Sequence, residues 1–321
     1  MISIGYNGQS DARAFKDVLG ATLIDILEKD ADAIYLDADL MSCIGMAAYA
    51  KEHPERAIQC GVAEANMMGV AAGLASAGFK PFAHTFGPFA SRRCFDQVFL
   101  SAGYAKNDIT VIGSDPGVCA SFNGGTHMPF EDVALYRALP TATVIDITDT
   151  VMLESVLRQC SGIAGVKYIR VGRKYPVKVY EADAELPIGR AVPLREGNDV
   201  LIAACGIMVA EALRAAAMLA EVGIHAAVLD MFTIKPLDAG TLLQYAAGAG
   251  AVVTAENHNR VGGLFAAVSE TLAQKLPLPV EYVAVEDCYG EVGPQDYLQQ
   301  RFGLTAEHIA AKAHRAISRK R

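Results

Sequence analysis

Short runs of β-branched and apolar residues alternate along the chain with longer stretches in which apolar positions recur every three or four residues. That is the pattern of a parallel sheet joined by crossover helices. Runs at 33–36, 57–60, 81–84, 109–112, 143–147 and 167–171 predict six strands, with helices at 63–77, 88–103, 131–138 and 149–160. Between residues 173 and 193 three prolines and several charges interrupt the alternation, which reads as a linker. A second unit follows, with strands expected at 200–204, 226–230, 251–255 and 280–285 and helices at 207–221, 238–247, 262–275 and 305–318. The expected fold is α/β with two doubly wound domains. A mainly parallel six-stranded domain covers 1–175, a linker covers 176–193, and a smaller α/β domain covers 194–321.

Composition adds an expectation about assembly. Of the 321 residues, 52% are hydrophobic and 20% charged, which argues against disorder and provides more apolar surface than an average monomer needs. Part of the surplus is expected at an interface. Lys and Arg number 28 against 36 Asp and Glu, a net charge of −8, so no nucleic-acid partner and no anionic membrane surface is expected. A small anionic substrate remains open through local Arg or Lys. The seven cysteines are odd in number and form no CxxC pair, so neither a disulfide framework nor a zinc site is suggested. Reduced thiols, a start without a basic segment before an apolar one, and no run of 18 apolar residues together predict a soluble, cytoplasmic protein.

Three segments stand out as candidate chemistry. Between Arg56 and Lys80 the only ionisable charge is Glu64, in the first turn of an expected helix. A carboxylate there complements the helix dipole. The same helix carries Ala65, Gly69, Gly73 and Ala77 at four-residue spacing, a stripe that lets another helix approach closely and would half-hide Glu64. A carboxylate removed from water becomes suited to exchanging a proton with a nitrogen base. The second segment, His84 to Phe89, ends a strand and places Phe86 and Phe89 three residues apart, either as ordinary core or as a platform for a flat ring. The third runs from Ser114 to His127 beyond a strand end, where open α/β sheets bind ligands, and its paired glycines bring His127 near that opening. Nucleotide-binding, P-loop, serine-hydrolase and zinc-protease signatures are absent from the sequence.

Taken in order, Gly61-Val62-Ala63-Glu64-Ala65-Asn66-Met67, Thr85-Phe86 with Phe89, Gly125-Thr126-His127, Tyr168 to Arg173 and Leu229 to Leu237 resemble the thiamine diphosphate-dependent transketolases. The resemblance covers the pyrimidine-binding and C-terminal domains. The diphosphate-binding half, with its GDG segment, has no counterpart in the sequence. The chain is therefore similar to the smaller subunit of a split transketolase, and the resemblance implies an N-terminal partner subunit holding Mg2+ and the diphosphate. It also implies self-association into an α2β2 heterotetramer, with no metal ligands on this chain. It implies that Glu64 hydrogen-bonds the cofactor's pyrimidine, that Phe89 stacks on it with Phe86 beside it, and that Val62 and Asp39 lie near the cofactor. His127 is implied near the reacting carbon. The implied reaction moves a two-carbon ketol unit from a ketose, as the sugar or its phosphate, to an aldose.

The substrate end departs from the family. Arg170 matches a phosphate-contacting arginine, but Asp115 falls where the family has a histidine and Asn123 where it has an aspartate. Lys16 aligns with an early arginine, with Arg13 one turn away, and Cys43 lies near a phosphate-binding serine position. A carboxylate at 115 repels a phosphate unless a cation intervenes, and lysine gives up bidentate geometry. Unusual sugar specificity is the resulting expectation. A 1-deoxyxylulose 5-phosphate synthase-like enzyme, a 2-oxoacid dehydrogenase E1 β chain and a non-catalytic scaffold are the competing readings. In the C-terminal unit, Glu256-Asn257-His258 followed by Gly262-Gly263 reads as a strand end turning into a helix, with a packing role.

Overall fold

A strand buried on both faces needs apolar residues at every position, and the chain supplies such runs repeatedly. In a computed structural model, which describes residues 2–320, they form two sheets. The first contains β1 (Ala33–Asp37), β2 (Ala57–Gln59), β3 (Lys80–Phe86), β4 (Ile109–Ser114), β5 (Thr143–Asp146) and β6 (Val166–Val171). The second contains β7 (Val192–Arg195), β8 (Val200–Ala204), β9 (Ala226–Asp230), β11 (Val252–Asn259) and β12 (Val280–Val285), while β10 (Thr233–Lys235) crosses to the first. The first sheet runs β10-β5-β6-β4-β3-β1-β2 and the second β12-β11-β8-β9-β7. Six parallel strands come from the first half of the chain, as expected. β10 adds a seventh, pairing antiparallel with β5.

The register places the candidate chemistry along one edge. Phe86 on β3 lies opposite Ser114 on β4, which lies opposite Val171 on β6, and Asp37 on β1 lies opposite His84. The loops after β1, β2, β3, β4 and β6 therefore emerge at neighbouring carboxyl ends. These are the residues around Asp39, Glu64, Phe89, Asp115 to His127 and Arg173.

Several local expectations need correction. A helix at Phe15–Lys29 was not expected, yet it buries Phe15, Val18, Leu19, Leu23, Ile26 and Leu27 at helical spacing. Gly20 lets it lie directly against the Ile44 carbonyl, where a Cβ would collide. The helix expected over 88–103 is broken into Gly87–Ala90, Phe95–Gln97 and a wider turn at Val98–Tyr104. Ser91 ends its first piece by donating its hydroxyl to the Gly87 carbonyl at 2.7 Å, one turn back. The segment expected as a linker is tied down. Ile4 and Ser10 bridge to Tyr180 and Val177, and the Asp149 carboxylate accepts from the Val179 and Tyr180 N–H groups at 2.9 and 2.8 Å. The expected linker also reaches into β7, an antiparallel edge strand of the second sheet.

Under that strap the Asp230 carboxylate, fully buried at the end of β9, accepts from Thr148 Oγ1 at 2.6 Å and Tyr180 Oη at 2.8 Å, while its other oxygen has no partner. Burial pushes its pKa up to about 7, against a usual value near 4. A carboxyl with a raised folded-state pKa favours the folded state below the unfolded pKa, and that contribution is lost as pH rises through the folded value. Asp230→Asn keeps the accepting oxygen and removes the titration. Its unfolding free energy should match the wild type near pH 4 and exceed it progressively from pH 5 to 8, by up to about 4 kcal/mol. Urea titrations across that range read the difference, and a constant gap at every pH would contradict the assignment.

Candidate active site

Glu64 opens the helix Glu64–Ser76 three residues after Gly61, whose positive φ of 69° turns the chain from β2. Its side chain is only 4% exposed, yet it meets a cation at the surface: Arg93 Nη1 donates to Oε1 at 3.2 Å and to Oε2 at 3.3 Å. The Arg93 guanidinium in turn lies 4.0 Å above the centre of the Phe89 ring. A flat group bearing N–H donors thus already sits between the Glu64 carboxylate and the Phe89 face. Phe86, Phe89 and His127 form a triangle of edge-on rings with centroid separations of 5.1 to 6.3 Å. His127 Nδ1 is 2.9 Å from Thr126 Oγ1, and its ring is half-exposed. Glu64, Phe86, Phe89 and His127 therefore gather around Phe89. Val62, 72% exposed, flanks Glu64 in sequence.

The floor beneath is a polar network with no solvent contact. Tyr35 Oη donates to Asp37 Oδ2 at 2.5 Å, His84 Nδ1 lies 3.1 Å from the same oxygen, and His84 Nε2 lies 3.1 Å from Ser114 Oγ. A carboxylate only accepts, so His84 Nδ1 carries a proton toward Asp37. The other Asp37 oxygen accepts from the Leu40 N–H, while Gln59 Oε1 accepts from the Asp39 N–H at 2.8 Å. Together these hold Asp39 in a left-handed turn, φ 68°, with its side chain exposed.

The substrate end is arranged differently from expectation. Arg170 was expected to contact an anionic substrate, but it is fully buried. Its Nε donates to Asp132 at 2.7 Å, its Nη1 to Asp146 at 2.6 Å and its Nη2 to the Asn257 carbonyl at 2.9 Å. Burial opposes its charge, and the two carboxylates more than offset that, raising its pKa. The cation beside the aromatic triangle is Arg173, which in the sequence stands out only as the end of the Tyr168 to Arg173 motif. Its guanidinium is 4.8 Å over the Phe86 ring, with Nε and Nη2 at 2.8 and 2.5 Å from Asp115 Oδ2. The signal was its place two residues past the strand end, where a side chain leaves the sheet. Asp115, buried and left-handed at φ 58°, is thus neutralised by a cation rather than free to repel an anion. Asn123 is exposed on the same loop. Lys16 is exposed, and its N–H donates to the Arg173 carbonyl at 3.2 Å, whereas Arg13 turns to Thr150 and Glu154.

His258 is wholly buried, and burial lowers its pKa to about 4. Glu256, raised by burial to about 7, accepts from the first N–H groups of the helix Leu264–Lys275. Glu256 thus caps a helix of the C-terminal unit, while His258 packs against the first unit, its Nε2 3.8 Å from Asp132 Oδ1. Among the described residues no group of three or more His, Cys, Asp or Glu could hold a metal ion, and no helix is long and apolar enough to cross a membrane.

The two arginines give a direct test. Arg170→Met leaves Asp132 and Asp146 buried without their cation and should destabilise the fold by about 3–5 kcal/mol. Arg173→Met leaves the buried Asp115 without a cation, but the arginine itself is partly exposed and only one carboxylate is stranded, so the cost should be smaller, on the order of 1–3 kcal/mol. Urea denaturation of both variants reads the contrast, and equal losses would contradict the assignment of roles.

Residues 11–174 match the family model of the transketolase pyrimidine-binding domain, and residues 189–309 match the transketolase C-terminal domain. The chain is 47% identical over 305 residues to the 6-deoxy-6-sulfo-D-fructose transketolase subunit of Clostridium sp. (strain MSTE9), covering 95% of each chain. It is 33% identical over 293 residues to an apulose-4-phosphate transketolase subunit of Phocaeicola vulgatus, covering 91% of this chain and 94% of that one. A solved structure, described as a split gene transketolase in an inactive β4 tetramer, superposes with a TM-score of 0.89 at 38% identity, over 97% of this chain and all of that one.

Proposed function

The chain belongs to the transketolase family, as the pyrimidine-binding and C-terminal domains of a split member, and on that premise we propose that with a diphosphate-binding partner it transfers a ketol unit from a sulfonated ketose to an aldose. The observation that carries the reading is the Arg93 guanidinium resting on Phe89 and bound to Glu64. A flat, nitrogen-bearing ring fits that slot on both counts, by stacking and by hydrogen bonding to a carboxylate. The family is thiamine diphosphate-dependent, and in this reading the cofactor, when bound, supplies the nucleophilic carbon that takes up the two-carbon unit.

Glu64 would hold the ring nitrogen and exchange its proton, and its burial keeps that proton from water. Phe89 would support the ring and Phe86 pack beside it, with Val62 and Asp39 at the rim. Arg93 must swing aside for the ring to enter. His127 would bind a substrate oxygen and move its proton. Mg2+ and the diphosphate are assigned to the partner subunit. The face of Gly69 and Gly73 on the Glu64 helix is open, with nothing within 4 Å of an added Cβ, which suits close packing by another chain in an α2β2 assembly.

Specificity is inferred from Arg173. Its charge is shared with Asp115, so the far end of the pocket offers less net positive charge than a lone arginine would. A phosphomonoester carries about −1.5 to −2 at neutral pH, whereas a sulfonate carries a single charge and suits this partly neutralised site better. The 47% identical relative acts, by its name, on such a sugar.

Glu64→Gln should lower ketol transfer by the assembled complex by about 100-fold or more while leaving assembly intact, measured by coupled assay and size-exclusion chromatography. The wild-type complex should use 6-deoxy-6-sulfofructose with a higher kcat/KM than fructose 6-phosphate. Efficient turnover of xylulose 5-phosphate with ribose 5-phosphate would sink the specificity, and an unchanged Glu64→Gln rate would sink the mechanism.

A further inference from the structure

None of the cofactor-facing or substrate-facing side chains named above comes from the C-terminal unit, yet one of its residues reaches the loop that carries Asp115, Asn123 and His127. Asn257, near the end of β11 and 1% exposed, uses both arms of its amide on that loop. Its Oδ1 accepts from the Val118 N–H at 3.0 Å, and its Nδ2 donates to the Pro116 carbonyl at 2.8 Å. The residue between them, Gly117, has a positive φ of 49°, and a Cβ there would collide with Asn257 Oδ1. The backbone can close on the amide only because that position is glycine. The Asn257 carbonyl is itself held by Arg170, so the clasp is fixed from behind by the β6 strand of the other sheet.

Two further contacts hold the far end of the same loop to the C-terminal unit. Ser121 Oγ donates to the Gly293 carbonyl at 3.1 Å, and Gly125 lies against the backbone of Gly290, closely enough that a Cβ would overlap its carbonyl. Asn257 is the inner of these attachments and the one with two directional bonds. It lies next to the turn that sets the Asp115 side chain against Arg173. Removing it would leave the Val118 N–H, in a fully buried residue, without that partner. A buried donor left unsatisfied drives the backbone to rearrange.

We propose that Asn257 is a positioning residue for ketol transfer: through its two hydrogen bonds, donated to the Pro116 carbonyl and accepted from the Val118 N–H, the C-terminal unit sets the shape of the substrate-facing loop Asp115–His127. The inference rests on the proposed function for its catalytic readout, and on the structure alone for the clasp itself. Glu64 and Phe89 lie on other elements, and His127 at the far end of the loop is held separately through Ser121 on Gly293 and Gly125 on Gly290, so loosening the inner end at Pro116–Val118 should weaken sugar binding more than it slows the chemistry.

The test uses Asn257→Ala, Asn257→Asp and, from the loop side, Gly117→Ala, each in the full chain. Hydrogen–deuterium exchange is read on peptides spanning 114–128, and KM and kcat are read in the complex with the diphosphate-binding partner. Asn257→Ala should raise exchange at the Val118 amide by at least 10-fold, and raise the donor KM by about 10-fold with kcat changed less than 3-fold. Asn257→Asp keeps the acceptor for Val118 but loses the donor to Pro116, and should fall between Ala and wild type. Gly117→Ala should reproduce the alanine signature with every residue of the C-terminal unit unchanged in sequence, which keeps the test decisive if Asn257→Ala fails to fold. Unchanged exchange over 114–128, or a fall in melting temperature with KM unmoved, would overturn the proposal. If the wild-type complex showed no ketol transfer, the proposed function would fall while the exchange result would still decide the clasp.

Discussion

A single guanidinium, taken wholly out of water, joins the two sheets of this protein. Arg170 reaches Asp132 at the start of the helix after the substrate loop, Asp146 at the end of β5, and the Asn257 carbonyl on β11. Burying one cation and two carboxylates is costly, and a hydrophobic replacement of the whole set is often as stable. What the ionic set provides is direction, because each bond fixes one element relative to the others. Tyr168 extends it by donating to Asp132 at 2.7 Å while stacking on Tyr136 at a centroid distance of 3.8 Å. The loop between β4 and that helix, which carries Asp115 to His127, is thereby held at its base and at its exit. The shape of that loop thus depends on a charge that is fully buried.

The same arrangement explains which parts of the protein were legible in the sequence. Strands buried on both faces announce themselves as continuous apolar runs, and the parallel order followed from the helices between them. Glu64 was legible because it is the lone charge in a long apolar stretch, and the Phe86–Phe89 pair and His127 because they flank strand ends. The choice between Arg170 and Arg173 was not. They lie three residues apart in one motif, and only the position of the strand end decides that the first points into the protein and the second leaves it. Partners from distant parts of the chain, Asp132, Asp146 and Asn257, are what make the first tolerable, and no local pattern reveals them.

Three of the remaining misreadings share one cause. β10 and β7 are short antiparallel edges whose pairing partners lie far away in sequence, and 176–193 resembles a linker by its prolines but is fastened by Asp149 and the N-terminal residues. Local composition predicts local freedom, and tertiary hydrogen bonds remove it. The first helix, Phe15–Lys29, was obscured by the glycine that permits its close contact with Ile44, a position where a helix propensity rule and a packing requirement conflict.

Three non-glycine residues with positive φ lie at the pocket rim: Asp39 at 68°, Asp115 at 58° and Ser121 at 54°. Such conformations cost on the order of 1 kcal/mol or more each, and they persist only when neighbours over-determine them. Here the neighbours can be named. Asp37 and Gln59 hold the Asp39 turn, Arg173 holds Asp115, and Gly293 with Lys174 holds Ser121. Three of the six non-glycine residues with positive φ among the described residues therefore lie along the carboxyl edge of the first sheet, held by bonds from both units. A ligand entering this edge meets groups already turned toward it, so the ordering cost has been met in folding rather than at binding. Arg93 is the exception. It is exposed and lies between Glu64 and Phe89, so in the proposed function the rearrangement needed for a ring to enter involves a surface side chain and leaves the strained turns in place.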